Sequence, residues 1–465
     1  MILAVFLVIT TLFRLIVGRY FPLIGDEAFY WLWSQHLDLS YVDHPPMIAY
    51  YIKGLTLIFG NTELAIRLGA IILVTLITFL VYKIGKELFG EKAGLISAII
   101  FNLTPTFFGG GIFLVPQQPF LLFWTLSIFL FVKLIKTNQA KYWYLLGLTV
   151  GLGLLSDYVM LLFFPAVGLY LLLNKNLRFW WQKAAPYLGA LLACLAFSPV
   201  IIWNLKQGFT PLFYWSGKMG GTPNYLQNFL TFVSLEMVLY TPILLLLVIY
   251  LIFRLRKFDD KITFLGCLSL MVFLPFLLIS PLMLVGGHWP AAAYIPAILF
   301  LGQLAGKKLK WLAGLTLFFV VLINFLAISY YLFIYPTPPS LKSQEFSINK
   351  TLPQFLAEST SKKGQTFYLA NNLGVAGLVA FHGKVNVHMA PGRLRQFDIW
   401  GEPQIKRGDN MIYFVLNEKE VYRKLLPLFS EVKTEQEKRL FTKDADIPQK
   451  TEIYHCLGYK GGILP

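Results

Sequence analysis

Charge is scarce in this chain. Of its 465 residues only 14% are Asp, Glu, Lys or Arg, while 57% are hydrophobic. A soluble globular protein carries about 25% charged and about 45–50% apolar residues. Cysteine is scarcer still: Cys194, Cys267 and Cys456 stand far apart, too few for a disulfide framework and matching no zinc spacing. There is no P-loop and no GxGxxG turn after a strand, so nothing points to an ATP-driven pump or a dehydrogenase. Fixed-period repeats and low-complexity tracts are also missing. Together these shortages exclude a soluble enzyme, a disordered chain and a disulfide scaffold.

What the chain does have is long apolar runs. They recur through residues 1–336 at the spacing of bilayer-spanning helices, which need about 20 residues each. The pattern predicts a polytopic α-helical membrane protein with spans at 1–18, 64–85, 93–109, 113–133, 142–156, 158–174, 185–203, 228–253, 262–283, 289–306 and 311–335. The stretch 142–174 is too long for one span and short for two, so it reads as a tight hairpin with Ser156 and Asp157 at its tip. The first run lacks the basic start and the small-residue cleavage site of a signal peptide, and is read as a retained span.

The net charge of +16 is distributed as a membrane protein distributes it. Within residues 1–336, sixteen Lys and Arg fall in the alternate loops around 83–92, 133–141, 175–183, 254–261 and 307–310, and six fall elsewhere. Basic residues favour cytoplasmic loops. The expected topology therefore has eleven spans, a short N-terminus inside and the C-terminus outside, with no need of nucleic acid to explain the charge. Residues 337–465 change character: prolines at 336, 338 and 339 are followed by 18 basic and 13 acidic residues. Short β-type runs, Thr366–Ala370 and Met411–Leu416, alternate with helix-like segments such as Glu418–Phe429. The expectation is a membrane-spanning module over 1–336, with a long first external loop at 19–63, and a small external α/β domain over 337–465. The loop 19–63 is expected to hold an interfacial helix from about Asp26 to His36 and another after Pro45-Pro46, lying with aromatic faces among the lipid headgroups.

Acidic residues locate the candidate chemistry. Seven of the eleven in residues 1–336 lie off the basic face, and five of those, Asp26, Glu27, Asp38, Asp43 and Glu63, belong to the first loop or its end. Paired carboxylates such as Asp26-Glu27 serve as a general base or hold a divalent metal, or they merely favour a helix N-terminus; the residues leave all three open. In Asp43-His44-Pro45-Pro46 two prolines fix the direction of a polar pair, or simply make a turn. Arg67, one helical turn after Glu63, suits either a surface ion pair or a bidentate fork on a phosphate. The same face collects the turn from Gly109 to Pro119 with Gln117, the hairpin tip with Asp157, the 203–218 connection with Lys206 and Lys218, and the turn at His288. Arg14 and Glu236 stand within spans. So few mid-span charges argue against an ion-coupled transporter.

These residues resemble a known family. Asp26-Glu27-Ala28-Phe29-Tyr30-Trp31-Leu32-Trp33-Ser34-Gln35-His36, followed by Tyr41-Val42-Asp43-His44-Pro45-Pro46, is similar to the first external loop of dolichyl-phosphate-mannose–protein mannosyltransferase-like proteins, polytopic GT-C glycosyltransferases whose relatives include the lipid A aminoarabinose transferases. The likeness continues through Glu63–Leu68, Ser198-Pro199, Trp203-Asn204, His288-Trp289-Pro290, Gly392-Arg393 and Gln396–Trp400. It implies transfer of a sugar from a polyprenyl phosphate, with inversion, to lipid A, another glycolipid or a protein at the outer face of the inner membrane. Asp26 would be the general base and Glu27 its helper. Asp43, His44, Arg67, Gln117, Asp157, Lys206, Lys218, His288, Arg393 and Arg395 would line the substrates, with the cations among them near the donor phosphate. The chain departs from the pattern twice: Gln117 stands where relatives often have an aspartate, and Asp157 where they often have a lysine. Neither departure decides whether a divalent metal is used. The alternatives are a protein O-mannosyltransferase-like enzyme, a lipid-linked-sugar flippase, or a non-catalytic assembly subunit.

Overall fold

The computed structural model describes residues 1–20, 23–211, 224–255, 259–307, 309–330, 352, 356–357, 365–389, 396–401, 403–416, 421–435 and 451–462. The chain forms two compact units. The first comprises Met1–Gly18, His44–Met47 and Arg67–Tyr335; the second comprises Arg19–Asp43, Ile48–Ile66 and Pro336–Pro465.

Helix α1 (Ile2–Tyr20) opens the first unit; α2 (Gly25–Gln35) and α3 (Met47–Phe59) follow and belong mainly to the second. The helices then run α4 (Glu63–Phe89), α5 (Glu91–Leu103), α6 (Pro105–Gly109), α7 (Gln117–Thr137), α8 (Lys141–Leu154), α9 (Phe163–Leu173), α10 (Ala184–Lys206), α11 (Tyr225–Phe253), α12 (Asp260–Ile279), α13 (Tyr294–Lys307) and α14 (Lys310–Ser329). Among the described residues seven of these, α1, α4, α7, α10, α11, α12 and α14, are long and apolar enough to cross a bilayer, or eight if the bent pair at 158–173 and 175–182 counts as one.

Among the described residues seven of the eleven expected spans are thus single helices of membrane length. The other four are short helices: α5, α8, α9 and α13 have 13, 14, 11 and 14 residues. Fourteen residues rise only about 21 Å, less than the hydrocarbon thickness of about 30 Å. The breaks have local causes. Thr104 leaves the helical region (ψ 130°) because it precedes Pro105, whose ring disfavours the helical conformation in its neighbour. The run from 289 begins as a turn and a 3-10 helix, Ala291–Ala293, before α13 starts. Even α11 is broken inside: Thr241 has φ 72° ahead of Pro242, which has no N–H to continue the ladder. Where helices must approach closely, side chains are dispensed with. A Cβ on Gly147 of α8 would sit 2.0 Å from the Gly189 carbonyl oxygen of α10, the small-residue packing that brings membrane helices together.

The two ends of this helix array differ in chemistry. At one end Glu87 takes hydrogen bonds from Lys133 and Lys136, both at 2.5 Å, and Lys261 donates to the Leu88 carbonyl at 3.0 Å. Three loops of the basic group therefore meet. At the other end the Met47 N–H donates to the Leu155 carbonyl at 2.9 Å, and Gln117 donates to the His288 carbonyl at 2.7 Å. Ser156 and Asp157 lie at the turn between α8 and the 3-10 helix Tyr158–Leu162, the hairpin tip the sequence predicts.

In the second unit a five-stranded sheet has the order β2-β1-β3-β5-β4, from β1 (Thr366–Ala370), β2 (Val387–Met389), β3 (Asn410–Leu416), β4 (Phe429–Glu435) and β5 (Thr451–Tyr459). β1 pairs in parallel with β2 and β3, and β5 pairs antiparallel with β3 and β4. Tyr413 sits opposite Leu369 on one side and Tyr454 on the other, and all three are buried in the sheet's core with Val421, Leu425 and Phe429. The crossover from β1 to β2 is α15 (Leu373–Gly383), followed after β2 by α16 (Gln396–Trp400). The helix-like segment expected at Glu418–Phe429 is corrected at its far end: among its described residues the helix is Val421–Leu425, α17, and Phe429 already opens β4.

The first loop forms both helices the sequence predicts, but its aromatic face is corrected. Phe29, Tyr30, Trp31 and Trp33 are buried inside the unit rather than turned to lipid. Trp31 meets Phe381 of α15 edge-on at 4.9 Å, and Phe29 stacks on Phe397 of α16 at 6.3 Å. The apolar α15 offers these rings a dry surface within the protein, and burying aromatic area there stabilises the unit as lipid contact would.

Candidate functional site

The acidic pair lies in the first turn of α2, where negative charge complements the helix dipole. Helical geometry splits the pair. Glu27 is fully buried (0% exposed) and accepts a hydrogen bond from the Ile24 N–H at 3.2 Å, so it fastens the start of the helix. Asp26, about 100° round the helix, is exposed. Further along the same loop Tyr41 donates to the Trp33 and His36 carbonyls, both at 3.0 Å, and stacks on Trp33 at 4.2 Å. The Val42 N–H donates to the buried Gln396 side-chain oxygen at 3.0 Å. Next comes Asp43, partly buried, with Oδ1 shielded from solvent and no hydrogen-bond partner among the described residues. Glu63, at the start of α4, faces His382 of α15 at 3.7 Å.

The first unit gathers four candidates taken from separate loops. His44 lies within electrostatic reach of both Asp157 and His288, and Gln117 is tied to His288 through its carbonyl. Asp157 accepts from the Val159 N–H at 2.9 Å and caps the 3-10 helix. Burial raises its carboxyl above the usual carboxylate range, against the pull of His44 and of that hydrogen bond. Burial likewise lowers the His288 imidazole, and the neighbouring His44 lowers it further. His288 is therefore neutral at physiological pH, a hydrogen-bonding ring rather than a fixed cation. Solvent reaches it through a cavity of about 300 Å³, while the surrounding protein thins its hydration. That cavity is lined by Phe101, Phe107 and Phe113 with Gln117, Gln118 and His288: apolar walls with a few convergent polar groups, the usual form of a small-molecule site.

Two buried arginines brace the 102–113 segment, part of which lines the cavity. Arg67, 1% exposed, donates to the Ile112 carbonyl at 2.9 Å and stacks on Phe113 with 4.7 Å to the ring centre. Arg14, wholly buried, donates to the Asn102 carbonyl at 3.0 Å and lies over Phe108 at 5.3 Å. Hydropathy had marked Arg14 only as a charge within a span; its pairing with the 102–113 segment carries no sequence signal. Glu236, the other mid-span charge, is buried and accepts from Tyr294 at 2.6 Å. Lys206 is exposed at the end of α10. Lys218, Arg393 and Arg395 lie outside the described residues. Among the described residues no three His, Cys, Asp or Glu side chains are grouped to hold a metal ion.

The described helices make this a polytopic membrane protein, and comparison with known proteins supplies its likenesses. Residues 43–203 match the family model described as dolichyl-phosphate-mannose-protein mannosyltransferase. Across 97% of both chains the fold is that of ArnT from Cupriavidus metallidurans, solved bound to undecaprenyl phosphate, at TM-score 0.67 and 14% identity. In sequence the chain is 25% identical over 297 residues to the lipid A galacturonosyltransferase RgtD of Rhizobium johnstonii, covering 63% of this chain and 62% of that one. It is 27% identical over 146 residues to the undecaprenyl phosphate-α-4-amino-4-deoxy-L-arabinose arabinosyl transferase of Erwinia tasmaniensis, 30% of this chain and 26% of the other. The matches thus span less than two thirds of these relatives. The resemblance drawn from the first loop holds.

Proposed function

We propose that this chain is an inverting glycosyltransferase that moves a sugar from a polyprenyl-phosphate carrier to lipid A or another cell-envelope glycolipid. The observation that carries the reading is the divided acidic pair: Glu27 anchors the helix from within, leaving Asp26 exposed on its first turn. The names of the two sequence relatives, both sugar transferases and one of them acting on lipid A, support the same chemistry over protein mannosylation or lipid flipping.

In this reading the Asp26 carboxylate takes the proton of an acceptor hydroxyl as that oxygen attacks the anomeric carbon. The carbon–oxygen bond to the phosphate breaks on the opposite face, and the carrier phosphate leaves with the electron pair, so the configuration inverts. General-base catalysis of this kind contributes about 10²–10⁴-fold. The leaving phosphate needs positive charge aimed at it; Arg67 supplies it, with Lys206, Lys218, Arg393 and Arg395 as further cations. The cavity beside Gln117 and His288 takes the apolar start of the carrier. Asp43, His44 and Asp157 orient sugar hydroxyls.

The basic loops meet at one end of the helix array and the candidate residues of the first unit at the other. By the positive-inside preference the second end faces away from the cytoplasm, as does the domain 337–465, and the membrane is the inner one. Mass spectrometry of lipid A and of envelope proteins from cells with and without the gene tests the proposal. A sugar-sized increment on lipid A or a glycolipid is the expected result. An increment on protein, or none at all, would contradict it.

A further inference from the structure

The α2 helix is held against α15 more closely than side chains allow. At Gly377, in the middle of α15, a Cβ would stand 2.5 Å from the Phe29 N, 2.6 Å from the Ala28 carbonyl carbon and 2.9 Å from its oxygen. These are backbone atoms of α2 one and two residues beyond Glu27, so no rotamer change relieves the overlap. Glycine is a poor helix former in an interior position, and its use here matches a need for close backbone approach. A second hold lies on the other side of the loop. Gln396, 1% exposed, accepts from the Val42 N–H at 3.0 Å across 354 residues of sequence. Its neighbours in α16 continue the grip, Phe397 stacked on Phe29 and Trp400 against His36 at 4.7 Å.

From this geometry we infer that Gly377 and Gln396 are positioning residues for the reaction: Gly377 sets the depth of the helix that carries Asp26, and Gln396 sets the bend that leads into Asp43. Neither touches the reacting atoms. The inference rests on the reading of Asp26 as the base, and assigns the sheet domain a catalytic duty rather than a merely stabilising one. A displacement of about 1 Å at a catalytic group costs up to about 10²-fold in rate. Adding a Cβ where 2.5 Å is available forces a shift of that order.

The test is a double-mutant cycle on the full-length protein in liposomes. Undecaprenyl-phosphate aminoarabinose and galacturonate are offered together as donors, with lipid A as acceptor, and undecaprenyl phosphate alone serves as the binding probe. Gly377→Ala and Gln396→Met should each lower kcat per folded molecule, by about 10²-fold and about tenfold, with carrier affinity near wild type and a lowered melting temperature, since one overpacks the helix contact and the other leaves the Val42 N–H without its acceptor. In an Asp26→Asn background neither should cost anything further, because residues acting through one group are not additive. Wild-type turnover in both variants, or losses that multiply with Asp26→Asn as general damage would, overturns the inference. If Gly377→Ala does not fold, Gln396→Met decides by the same two readouts. Asp26→Asn with wild-type turnover would sink the base assignment and this inference with it. An inactive Asp26→Asn beside fully active Gly377→Ala and Gln396→Met would sink the inference alone.

Discussion

The two units hold their polar residues by different means. In the first, Gln117 opens the long apolar α7, and His44, Asp157 and His288 stand in the turns between helices. Single hydrogen bonds such as Gln117 to the His288 carbonyl and Met47 to Leu155 join one loop to the next. In the second, Asp26 and Glu27 ride on a helix packed to backbone contact at Gly377 and stacked through Phe29 and Trp31. These polar residues are placed by sparse polar ties in one unit and by close packing in the other. The first arrangement should tolerate loss of a tie at modest cost; the second should not tolerate an added methyl.

The sharpest contrast lies inside the acidic pair. Asp26→Asn should lower turnover by about 10²–10⁴-fold with an unchanged melting temperature. Glu27→Gln should do the reverse: it weakens the bond to Ile24 and destabilises the second unit, while turnover per folded molecule stays within a few-fold. Thermal melting beside single-turnover kinetics separates the two, and an equal loss of rate in both would erase the distinction.

Packing in the second unit also has a pH signature. Burial lowers the His382 imidazole from 6.5 to about 4, and Glu63 at 3.7 Å, partly in water, does not offset that. The folded state therefore refuses a proton that the unfolded chain accepts. The sign follows: this contribution is full above pH 6.5 and is lost as pH falls from 6.5 towards 4, by up to about 3 kcal/mol. Melting of the second unit, followed between pH 7 and 4, should show this loss, and His382→Gln should flatten the curve over that window.

Next in size is Arg67. If its guanidinium meets the donor phosphate, Arg67→Ala should weaken binding of undecaprenyl phosphate by about 1.5–3 kcal/mol, tenfold or more, and Arg67→Lys should restore only part of it. If Arg67 serves only to brace Ile112 and Phe113, both variants lower the melting temperature and leave the affinity alone. A binding titration beside a melt tells these apart. The smallest effect belongs to the first unit's polar ties: Gln117→Leu should cost about 1 kcal/mol of stability, read by thermal melting. A loss several times larger would show that this tie, too, is backed by close packing.

Much of this architecture is legible in the sequence, and the illegible part has definite causes. Hydropathy located α4, α7 and α10 to within four residues at each end, because the length of an apolar run reports what must be kept from water. It missed the breaks at Thr104 and ahead of Ala291, since hydropathy measures area and not continuity of the backbone. The run Thr366–Ala370 is readable as a strand from its residue types, Thr, Phe and Tyr being favoured in strands. The helix expected to run on to Phe429 ends at Leu425, because Phe429 is recruited by the sheet. The aromatic loop pointed to lipid on composition alone, as the partner that buries it lies some 350 residues away in the chain. Gly377 looks like any glycine in an apolar helix until the opposing backbone is seen.

The central claim is transfer with inversion, and the anomeric configuration of the product tests it most directly. Purified protein in liposomes, given polyprenyl-phosphate sugar of known configuration and lipid A, should yield a glycolipid whose new linkage, read by NMR, has the opposite configuration to the donor, with no product from Asp26→Asn. A product that keeps the donor's configuration, or equal yield from Asp26→Asn, would contradict the account.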